Sequence, residues 1–447
     1  MIPAIIALRA RIRKSELAQR LVGGTTWSVA GAVVSSGLNL LTMMFVARLL
    51  GKEIFGQFVI VQSTLGMVGV FAGFGIGATA TRYVAELRSR DPGKLTRILA
   101  LAERTVLIFG VIATLALALM SSTLAVKVLA SPALTLPLAI AAASVFLSTL
   151  DGYQKSTLIG LEAMRPLAIG TAAGTVASVP IMLVSAHLFG LTGAAGGMTV
   201  SAFVQCGISR YQMVDQLRRF AVAGIARGCL REWRTLRDFA LPSLLAGLLV
   251  MPAHWACHAM LANSSNGYSE LAVLGVAMQW FNVVMFLPSA AGRVVLPILT
   301  EHVSNRNPAG AKRLLLFAIG VNAVLTLPLS IFLALSSARI LSLYGPGFHN
   351  GSLAMAIAVI TATLLAVQAP VGNMVSAVSR VWLGALMNLG WALIYVSLAY
   401  VLLNYGAVGV VGAMGVAYVV HAVWTFAFAI SQLRSRKEHS AWIPHVL

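Results

Sequence analysis

The stretch FGIGATATRYVAELRSRDPGK, residues 74–94, begins apolar and then places six charged residues within its last thirteen positions. Such a burst stands out in this chain, because 59% of its 447 residues are hydrophobic and 10% are charged, whereas soluble domains carry roughly 25% charged residues. No water-soluble fold of this length has enough interior to bury so much apolar surface. The stretch therefore indicates the end of a membrane span followed by a polar turn.

Long uncharged segments support this interpretation. Residues 133–150 and 167–186 contain no charged side chain, and each approaches the roughly 20 residues that a helix needs to cross a bilayer. The mean hydropathy of the chain is +0.88. We predict an all-α polytopic membrane protein. Dividing the apolar stretches at charged residues and turn signals predicts twelve transmembrane helices. Their expected bounds are 24–47, 54–82, 98–121, 133–161, 165–187, 191–212, 236–262, 271–300, 310–335, 352–378, 382–403 and 407–433.

The positive charge falls mostly on one side of these spans. The formal net charge is +19, which in a soluble protein would suggest binding to nucleic acid. Here the basic residues flank the spans instead. If the N-terminal tail and alternate loops are cytoplasmic, that side and its helix ends take 28 of the 32 Lys and Arg residues, all except Arg48, Lys52, Lys127 and Arg339. The positive-inside rule then predicts that both termini are cytoplasmic, and no nucleic-acid partner is expected.

The N-terminal segment is predicted to remain on the mature protein. Its first eight residues, MIPAIIAL, precede the basic residues Arg9, Arg11, Arg13 and Lys14. A cleavable signal peptide has the opposite order, with the basic region before the apolar one. We therefore expect residues 1–23 to form a cytoplasmic segment, and residues 434–447 a cytoplasmic tail. The three cysteines show no paired or metal-type spacing, so no cofactor is expected.

Features of the opening stretch recur in the second half of the chain. Pro92 matches Pro308 at a separation of 216 residues, and the segments FGLTGAAGG (189–197) and YGAVGVVGA (405–413) align three glycines each at the same separation. Several matches at a nearly constant separation, all at equivalent span ends, indicate an internal repeat. The further matches, at 215 or 216, are Glu86 with Glu301, Ser89 with Ser304, Arg97 with Arg313, and Arg165 with Arg380.

The repeat predicts two six-helix bundles, residues 24–212 and 236–433. Because six is an even number, both bundles enter the membrane from the same side, as parallel repeats related by an axis near the membrane normal. Two facing bundles leave a central cleft, and rocking of the bundles would expose this cleft to one side of the membrane at a time. This arrangement is typical of a transporter.

The linker between the bundles, residues 213–235, is predicted to lie on the cytoplasmic membrane surface. Leu217, Phe220, Leu230 and Trp233 fall at helical spacing among arginines, which is the pattern of an interfacial amphipathic helix. No loop has room for a folded soluble domain, and the sequence contains no glycine-rich P-loop with its Lys-Ser or Lys-Thr pair. Direct use of ATP by this chain is therefore not expected.

The first two spans resemble those of a known transporter family. The segment TTWSVAGAVVSSGLNLLTMMFVARLLGKEIFGQFVIVQS (25–63) is similar to the start of bacterial polysaccharide transporters, the Wzx-type flippases of lipid-linked oligosaccharides such as O-antigen units. WRTLRDFALPSLLAGLL (233–249) resembles the opening of the family's second half. These transporters belong to the multidrug/oligosaccharidyl-lipid/polysaccharide (MOP) exporter superfamily. The residues that carry the resemblance are Arg48, Leu50, Gly51, Phe55, Gly56, Gly75, Gly77, Leu241 and Pro242.

The resemblance implies a MATE-like fold and a transporter rather than an enzyme. It implies export of an undecaprenyl-pyrophosphate-linked oligosaccharide repeat unit across the bacterial inner membrane by alternating access, for lipopolysaccharide O-antigen or exopolysaccharide synthesis. H+ or Na+ as a coupling ion, membrane lipids, and polysaccharide polymerase machinery are the further partners expected on this ground. Twelve spans fit this family better than the related lipid II flippases, which usually carry two more.

Polar residues at membrane depth are the first candidates for substrate binding, because a charge in hydrocarbon costs at least about 3 kcal/mol. Arg48, at the outer end of the first span, is either a ligand for pyrophosphate or acidic sugar or an interfacial cation. We expect Arg293, inside the eighth span, to line the cleft, because a guanidinium suits phosphate. Asn39 and Asn282 would bind sugar hydroxyls if they face the cleft, or otherwise tie helices together.

Two pairs of residues are candidates for ion coupling. Asp151 and Lys155 lie four residues apart in the fourth span and hence on one helix face. They form either a structural ion pair or a switch, in which Asp151 takes a proton or Na+ and Lys155 is freed for substrate. His254 and His258, also four apart, are either a proton-responsive pair or packed histidines. Zinc would need further ligands that the sequence does not show, so no metal site is predicted.

Two other functions stay open from the sequence. A cation-coupled multidrug antiporter would need carboxylates within the membrane, but Asp151 is the only one of thirteen acidic residues deep inside a predicted span. A membrane glycosyltransferase or ligase generally carries a large extracytoplasmic loop, and every predicted external loop is short. A cleft with more cations than carboxylates favours an anionic, lipid-linked substrate.

Overall fold

A computed structural model describes residues 16–73, 75–220, 228–234, 237, 248–305, 307–378 and 380–438. These residues form helices and turns, with no strand among them. The helices of the N-terminal half are α1 (Glu16–Leu50), α2 (Lys52–Gly73), α3 (Ile76–Leu87), α4 (Pro92–Thr123), α5 (Thr135–Gly160) and α6 (Met164–Arg219). Those of the C-terminal half are α7 (Val250–Ala262), α8 (Gly267–Ser304), α9 (Pro308–Leu335), α10 (Ser337–Ser342), α11 (Ser352–Ala377), α12 (Val381–Val401) and α13 (Gly406–Glu438).

The all-α polytopic fold class is confirmed. Ten helical segments of the described chain are long and apolar enough to cross a membrane. The longest helix, α6, is interrupted at Gly190, where φ is 57° and ψ is −133°, and this break separates the predicted fifth and sixth spans. The predicted seventh span, 236–262, lies partly outside the described residues. The count of twelve spans therefore stays a prediction.

The predicted second span, 54–82, is not one continuous helix. Helix α2 ends at Gly73 and α3 begins at Ile76, and between them Gly75 has a φ of 66°. A left-handed backbone at this point favours glycine, because a Cβ atom would be strained there. Hydropathy alone does not register such a break, since glycine is nearly neutral on the scale. The span therefore divides into two helices within the stretch that ends in the charged turn.

The internal repeat is visible in the backbone. Gly190 and Gly406, 216 residues apart, have nearly the same conformation, with φ of 57° and 61° and ψ of −133° and −138°. Three residues further on, a Cβ atom at Gly193 or Gly409 would lie 1.8 or 2.0 Å from a backbone oxygen. Both halves thus use a glycine turn followed by a close backbone approach, and the matched glycines of the sequence repeat occupy matched structural positions.

The starts of α4 and α9 also match. The carboxylate of Asp91 accepts a hydrogen bond from the backbone N–H of Lys94 at 2.8 Å, and the side-chain oxygen of Asn307 accepts one from Gly310 at 2.8 Å. Each cap is followed by a proline as the first helical residue, where the missing N–H has no cost. The charge burst at 82–94 therefore includes a helix cap that recurs 216 residues later.

The chain forms two compact units. The first contains the described residues of Met1–Val46, Val68–Ser122 and Thr135–Leu244. The second contains those of Ala47–Met67, Thr123–Leu134 and Leu245–Leu447. Two short segments of the N-terminal half, at the first two of its three predicted outer loops, thus belong to the second unit. Within the first unit α5 packs on α6 and α3, and within the second α11 packs on α8, α9 and α13.

Candidate functional site

Three helical segments of the first unit carry polar side chains at helical spacing, and together these surround a cavity. The spacing of three or four residues puts each set on one helix face. The cavity has a volume of about 280 Å³. Its lining residues are Ser148, Asp151 and Lys155 from α5, Thr171, Gly174, Thr175 and Ser178 from the first part of α6, and Ser201, Ala202 and Gln205 from the second part.

Asp151 is the centre of a short hydrogen-bonded chain in this cavity. One carboxylate oxygen lies 2.8 Å from the Lys155 ammonium, and the other accepts a hydrogen bond of 2.6 Å from the Ser209 hydroxyl. Ser209 in turn accepts one of 3.2 Å from the side-chain amide of Gln205. The Asp151 and Lys155 side chains are 15% and 26% exposed. The predicted pair is therefore formed, and its two charges cancel inside the cavity.

The hydroxyl groups of the first part of α6 present lone pairs to the cavity. Thr175 donates its hydroxyl hydrogen to the carbonyl of Thr171 at 2.8 Å, and Ser178 donates to the carbonyl of Thr175 at 2.7 Å. Their oxygens can therefore still accept a hydrogen bond or contact a cation. The Ser201 hydroxyl is buried and has no partner among the described residues. The lining suits a ligand rich in hydroxyl groups or a small cation.

The two predicted histidines lie in the second unit and are packed among aromatic rings. Their ring centroids are 6.3 Å apart, and the His254 ring lies 5.6 Å from Trp391 and 5.2 Å from Tyr395. The Nδ1 atom of His258 lies 2.8 Å from the Ser63 hydroxyl. No cluster of three or more metal-ligating side chains occurs in the part of the chain that the structure describes. These contacts support packed histidines, while an ion-coupling role stays a prediction.

Arg48, Asn39 and Asn282 do not line the cavity of the first unit. Arg48 belongs to the second unit, where its Nε donates a hydrogen bond to the carbonyl of Leu343. It thereby ties the end of α1 to the loop after α10. Asn39 and Asn282 are exposed, and the side chain of Arg293 lies outside the described residues. Substrate binding by these four residues stays a prediction.

Most of the cavity was not predicted from the sequence. The Asp151–Lys155 pair was predicted because both residues lie on one helix, but Ser209 is 58 positions from Asp151. A signal was nevertheless present in the sequence: polar residues recur every three or four positions in otherwise apolar spans at Thr171, Thr175 and Ser178, and again at Ser201, Gln205 and Ser209. Such stripes in neighbouring spans predict a shared polar face.

Comparison with known proteins identifies the family. A sequence profile described as polysaccharide biosynthesis protein matches residues 21–303, which is more than half of the chain. The chain belongs to the polysaccharide biosynthesis protein family. The resemblance found in its first spans is therefore confirmed, and the transporter class predicted from the sequence agrees with this family.

Two curated relatives align with most of this chain. The EPS I polysaccharide export inner membrane protein EpsE of Ralstonia solanacearum is 26% identical over 409 residues, which span 87% of this chain and 89% of the relative. The protein of the same name from Ralstonia nicotianae is 26% identical over 403 residues, with the same shares covered.

Solved structures confirm the predicted fold. An inward-facing multidrug resistance MATE family transporter of the MOP superfamily superposes with a TM-score of 0.76 at 16% identity, over 91% of this chain and 96% of the other. A MOP superfamily transporter from Pyrococcus furiosus gives a TM-score of 0.68 at 17% identity, over 94% and 96%. At such low identity these structures show the fold alone, which this chain shares with both transporters.

Proposed function

We propose that this chain exports a lipid-linked oligosaccharide, an undecaprenyl-pyrophosphate-linked repeat unit, across the bacterial inner membrane by alternating access. The family and the export function named for the Ralstonia relatives support a polysaccharide substrate. The observation that carries the proposal is the hydroxyl-rich cavity of the first unit, lined by helices that are otherwise apolar. Buried polar groups without partners are costly, so a polar cavity at membrane depth favours a polar cargo.

The cavity fits the glycan part of such a substrate better than an organic cation. Sugar hydroxyls donate to the free lone pairs of Thr175 and Ser178 and accept from the ammonium of Lys155. Asp151 is already neutralised by Lys155, so no free carboxylate is present in the cavity to attract a cationic drug. The apolar polyprenyl tail stays in the bilayer while the head group crosses.

Asp151 is proposed as the coupling site for H+ or Na+. With Asp151 ionised, Lys155 is held by the ion pair of 2.8 Å. A proton or Na+ bound to the carboxylate weakens this attraction and frees Lys155 for the substrate. The same proposal places both termini in the cytoplasm, so that the glycan leaves on the opposite side, where a polysaccharide polymerase would receive it.

The test uses purified full-length protein in proteoliposomes and measures the flipping of an undecaprenyl-pyrophosphate-linked oligosaccharide, with and without a proton or Na+ gradient. Asp151→Asn mimics the neutral carboxyl group, and we expect it to transport without stimulation by either gradient. Asp215→Asn is the matched control, because Asp215 also forms an i,i+4 ion pair, of 3.0 Å with Arg219, outside the cavity. This control should keep the response to the gradient.

Two outcomes contradict the proposal. If the Asp151→Asn variant keeps a gradient-dependent rate, Asp151 has no coupling role. If the unsubstituted protein does not flip the lipid-linked oligosaccharide but does expel cationic drugs from the same vesicles, the substrate class is wrong and the multidrug antiporter is correct.

A further inference from the structure

The segment after α6 forms a short turn with three distinct faces. Cys229–Glu232 is a 3-10 helix that begins after Gly228, whose φ is 75°. In such a helix, side chains three residues apart lie one above the other. Cys229 and Glu232 are buried, whereas Leu230 and Trp233 are 73% and 44% exposed. The third face carries two exposed basic residues, Arg231 and Arg234.

The buried face of this turn is held by α4, within the first unit. The Nε of Arg97 lies 3.2 Å from a carboxylate oxygen of Glu232, and Arg104 donates a hydrogen bond of 2.9 Å to the sulfur of Cys229. Arg97 and Arg104 are seven residues apart, so they lie on one face of α4 two turns apart. These two contacts fix the orientation of the turn and leave its apolar and basic faces outward.

A second cavity, of about 380 Å³, opens between the turn and α4. It is lined by Arg97, Gly228, Arg231 and Glu232. Within the described chain, Glu232 forms an ion pair with Arg97, and no carboxylate lies within ion-pair distance of Arg231. The cavity therefore holds two guanidinium groups and one carboxylate, and Arg231 keeps its donors available.

We propose that this cavity binds the phosphate of an anionic lipid headgroup on the predicted cytoplasmic side of the membrane. Exposed Trp and Leu side chains favour the boundary between headgroups and acyl chains, so Leu230 and Trp233 hold the turn at that depth. Arg231 and Arg97 then lie at the level of the lipid phosphates. A guanidinium binds phosphate through two parallel hydrogen bonds, and basic pockets on the cytoplasmic side suit anionic headgroups.

The phosphate can come from an anionic phospholipid or from the pyrophosphate of a polyprenyl lipid. In the first case the site positions the linker on the inner leaflet, independently of the transport proposed above. In the second case it is a loading site, which rests on the proposed function. The chemistry of recognition is the same, and the lipid that binds distinguishes the two sources.

The experiment measures lipid binding to the purified full-length protein in detergent by native mass spectrometry. The probes are phosphatidylglycerol, phosphatidylcholine and undecaprenyl pyrophosphate. We expect Arg231→Gln to weaken binding of at least one of the two anionic lipids, phosphatidylglycerol and undecaprenyl pyrophosphate, about fivefold. This is the usual effect of removing one basic residue near an anionic lipid. Glu232→Gln keeps an acceptor for Arg97 but removes the negative charge, so it should strengthen binding of the same lipid. Arg218→Gln is the control, because Arg218 is exposed on the same predicted side but does not line the cavity.

Weaker lipid binding by Arg231→Gln together with stronger binding by Glu232→Gln would distinguish a lipid-binding site from a turn with only a structural role. A change confined to phosphatidylglycerol assigns the site to phospholipid, and one confined to undecaprenyl pyrophosphate assigns it to the polyprenyl lipid. The inference is overturned if Arg231→Gln binds every probe as the unsubstituted protein does, if Arg218→Gln loses as much, or if Glu232→Gln weakens binding. The inference would also be contradicted if zwitterionic phosphatidylcholine bound as tightly as the anionic lipids and if this binding depended on Arg231.

Discussion

At the scale of single residues, the pair of Asp151 and Lys155 is the feature with the clearest chemistry. Its two charges lie within a largely apolar set of helices and stabilise each other, and Asp151 also accepts a hydrogen bond from Ser209. Removing one partner of a buried pair leaves an uncompensated charge, which costs more than the pair contributes. Substitution of either residue should therefore have a measurable effect.

Lys155→Gln should lower the rate of oligosaccharide flipping about tenfold or more, with and without a gradient, because it removes the proposed charge-assisted hydrogen bond to the substrate, of roughly 1.5–3 kcal/mol. The measurement is initial flipping rate in proteoliposomes at equal protein content. Arg219→Gln, which removes the cation of the exposed pair with Asp215, should leave the rate unchanged. A Lys155→Gln variant with the normal rate would exclude Lys155 from the transport path.

The sequence predicted this pair but not its surroundings, for a physical reason. Residues four apart in a helix share a face whatever the tertiary structure, so the contact between Asp151 and Lys155 follows from local geometry. The hydrogen bond from Ser209 depends on how α6 packs on α5. Contacts of that kind require the three-dimensional fold, although the polar stripes of α6 indicate which face is involved.

At the scale of helices, α2 and α8 cross at unusually short distance within the second unit. A Cβ atom at Gly56 would lie 1.7 Å from the backbone oxygen of Tyr268, and one at Gly275 would lie 2.5 Å from the Val59 side chain. A glycine from each helix thus permits the approach. The obstacle at Gly56 is backbone, which cannot rotate away as a side chain does.

Gly56→Ala should lower the stability of the protein by about 1–3 kcal/mol, the usual cost of overpacking. Thermal unfolding of the purified protein in detergent measures the change. Gly66→Ala, in the same helix, is the matched control, because a Cβ atom at Gly66 meets nothing within 4 Å. Alanine is favoured over glycine within helices by about 0.5–1 kcal/mol, so this control should be neutral or slightly stabilising. Equal effects at both positions would show that the crossing is not tight.

Helix positions were more predictable than helix continuity. Hydropathy and turn signals located α9, α11 and α12 closely, because each is a long apolar run between polar turns. They did not reveal the break at Gly75 or the close crossing at Gly56, since both depend on backbone geometry and on a partner segment. Glycine content alone does not distinguish these positions from the open position at Gly66.

At the scale of the whole molecule, the chain halves and the compact units do not coincide. The repeat divides the sequence near its middle, but residues 47–67 and 123–134 of the N-terminal half pack in the second unit. Helix α2 therefore passes from one unit to the other between Met67 and Val68. The repeat was predicted from matches at a constant separation in the sequence. The assignment of residues 47–67 and 123–134 to the second unit depends on long-range packing and was not predicted.

Alternating access by rocking of the two sequence halves predicts that contacts between α2 of the N-terminal half and α8 of the C-terminal half break during transport. At this crossing a Cβ atom at Gly275 would be 3.4 Å from the Cβ of Val59, close to the usual disulfide spacing. A Val59→Cys, Gly275→Cys double variant, with the three native cysteines replaced, should form a disulfide under oxidant and stop oligosaccharide flipping in proteoliposomes. Reductant should restore the rate.

The Val59→Cys single variant in the same background controls for the oxidant, and it should flip at one rate with and without oxidant. A fully cross-linked double variant that still transports at the normal rate would mean that α2 and α8 stay together throughout the cycle. Alternating access would then have to operate elsewhere in the chain.

The internal charge balance of the Asp151–Lys155 cavity has an electrical consequence. A transmembrane potential acts on net charge, with about 2.3 kcal/mol per elementary charge per 100 mV. A pair of opposite charges 2.8 Å apart presents almost no net charge to that field while both partners stay together. The resting pair therefore responds little to voltage. In the proposed cycle the potential does work at the steps in which net charge moves, either as a proton or Na+ reaching the carboxylate or as the anionic pyrophosphate crossing the membrane.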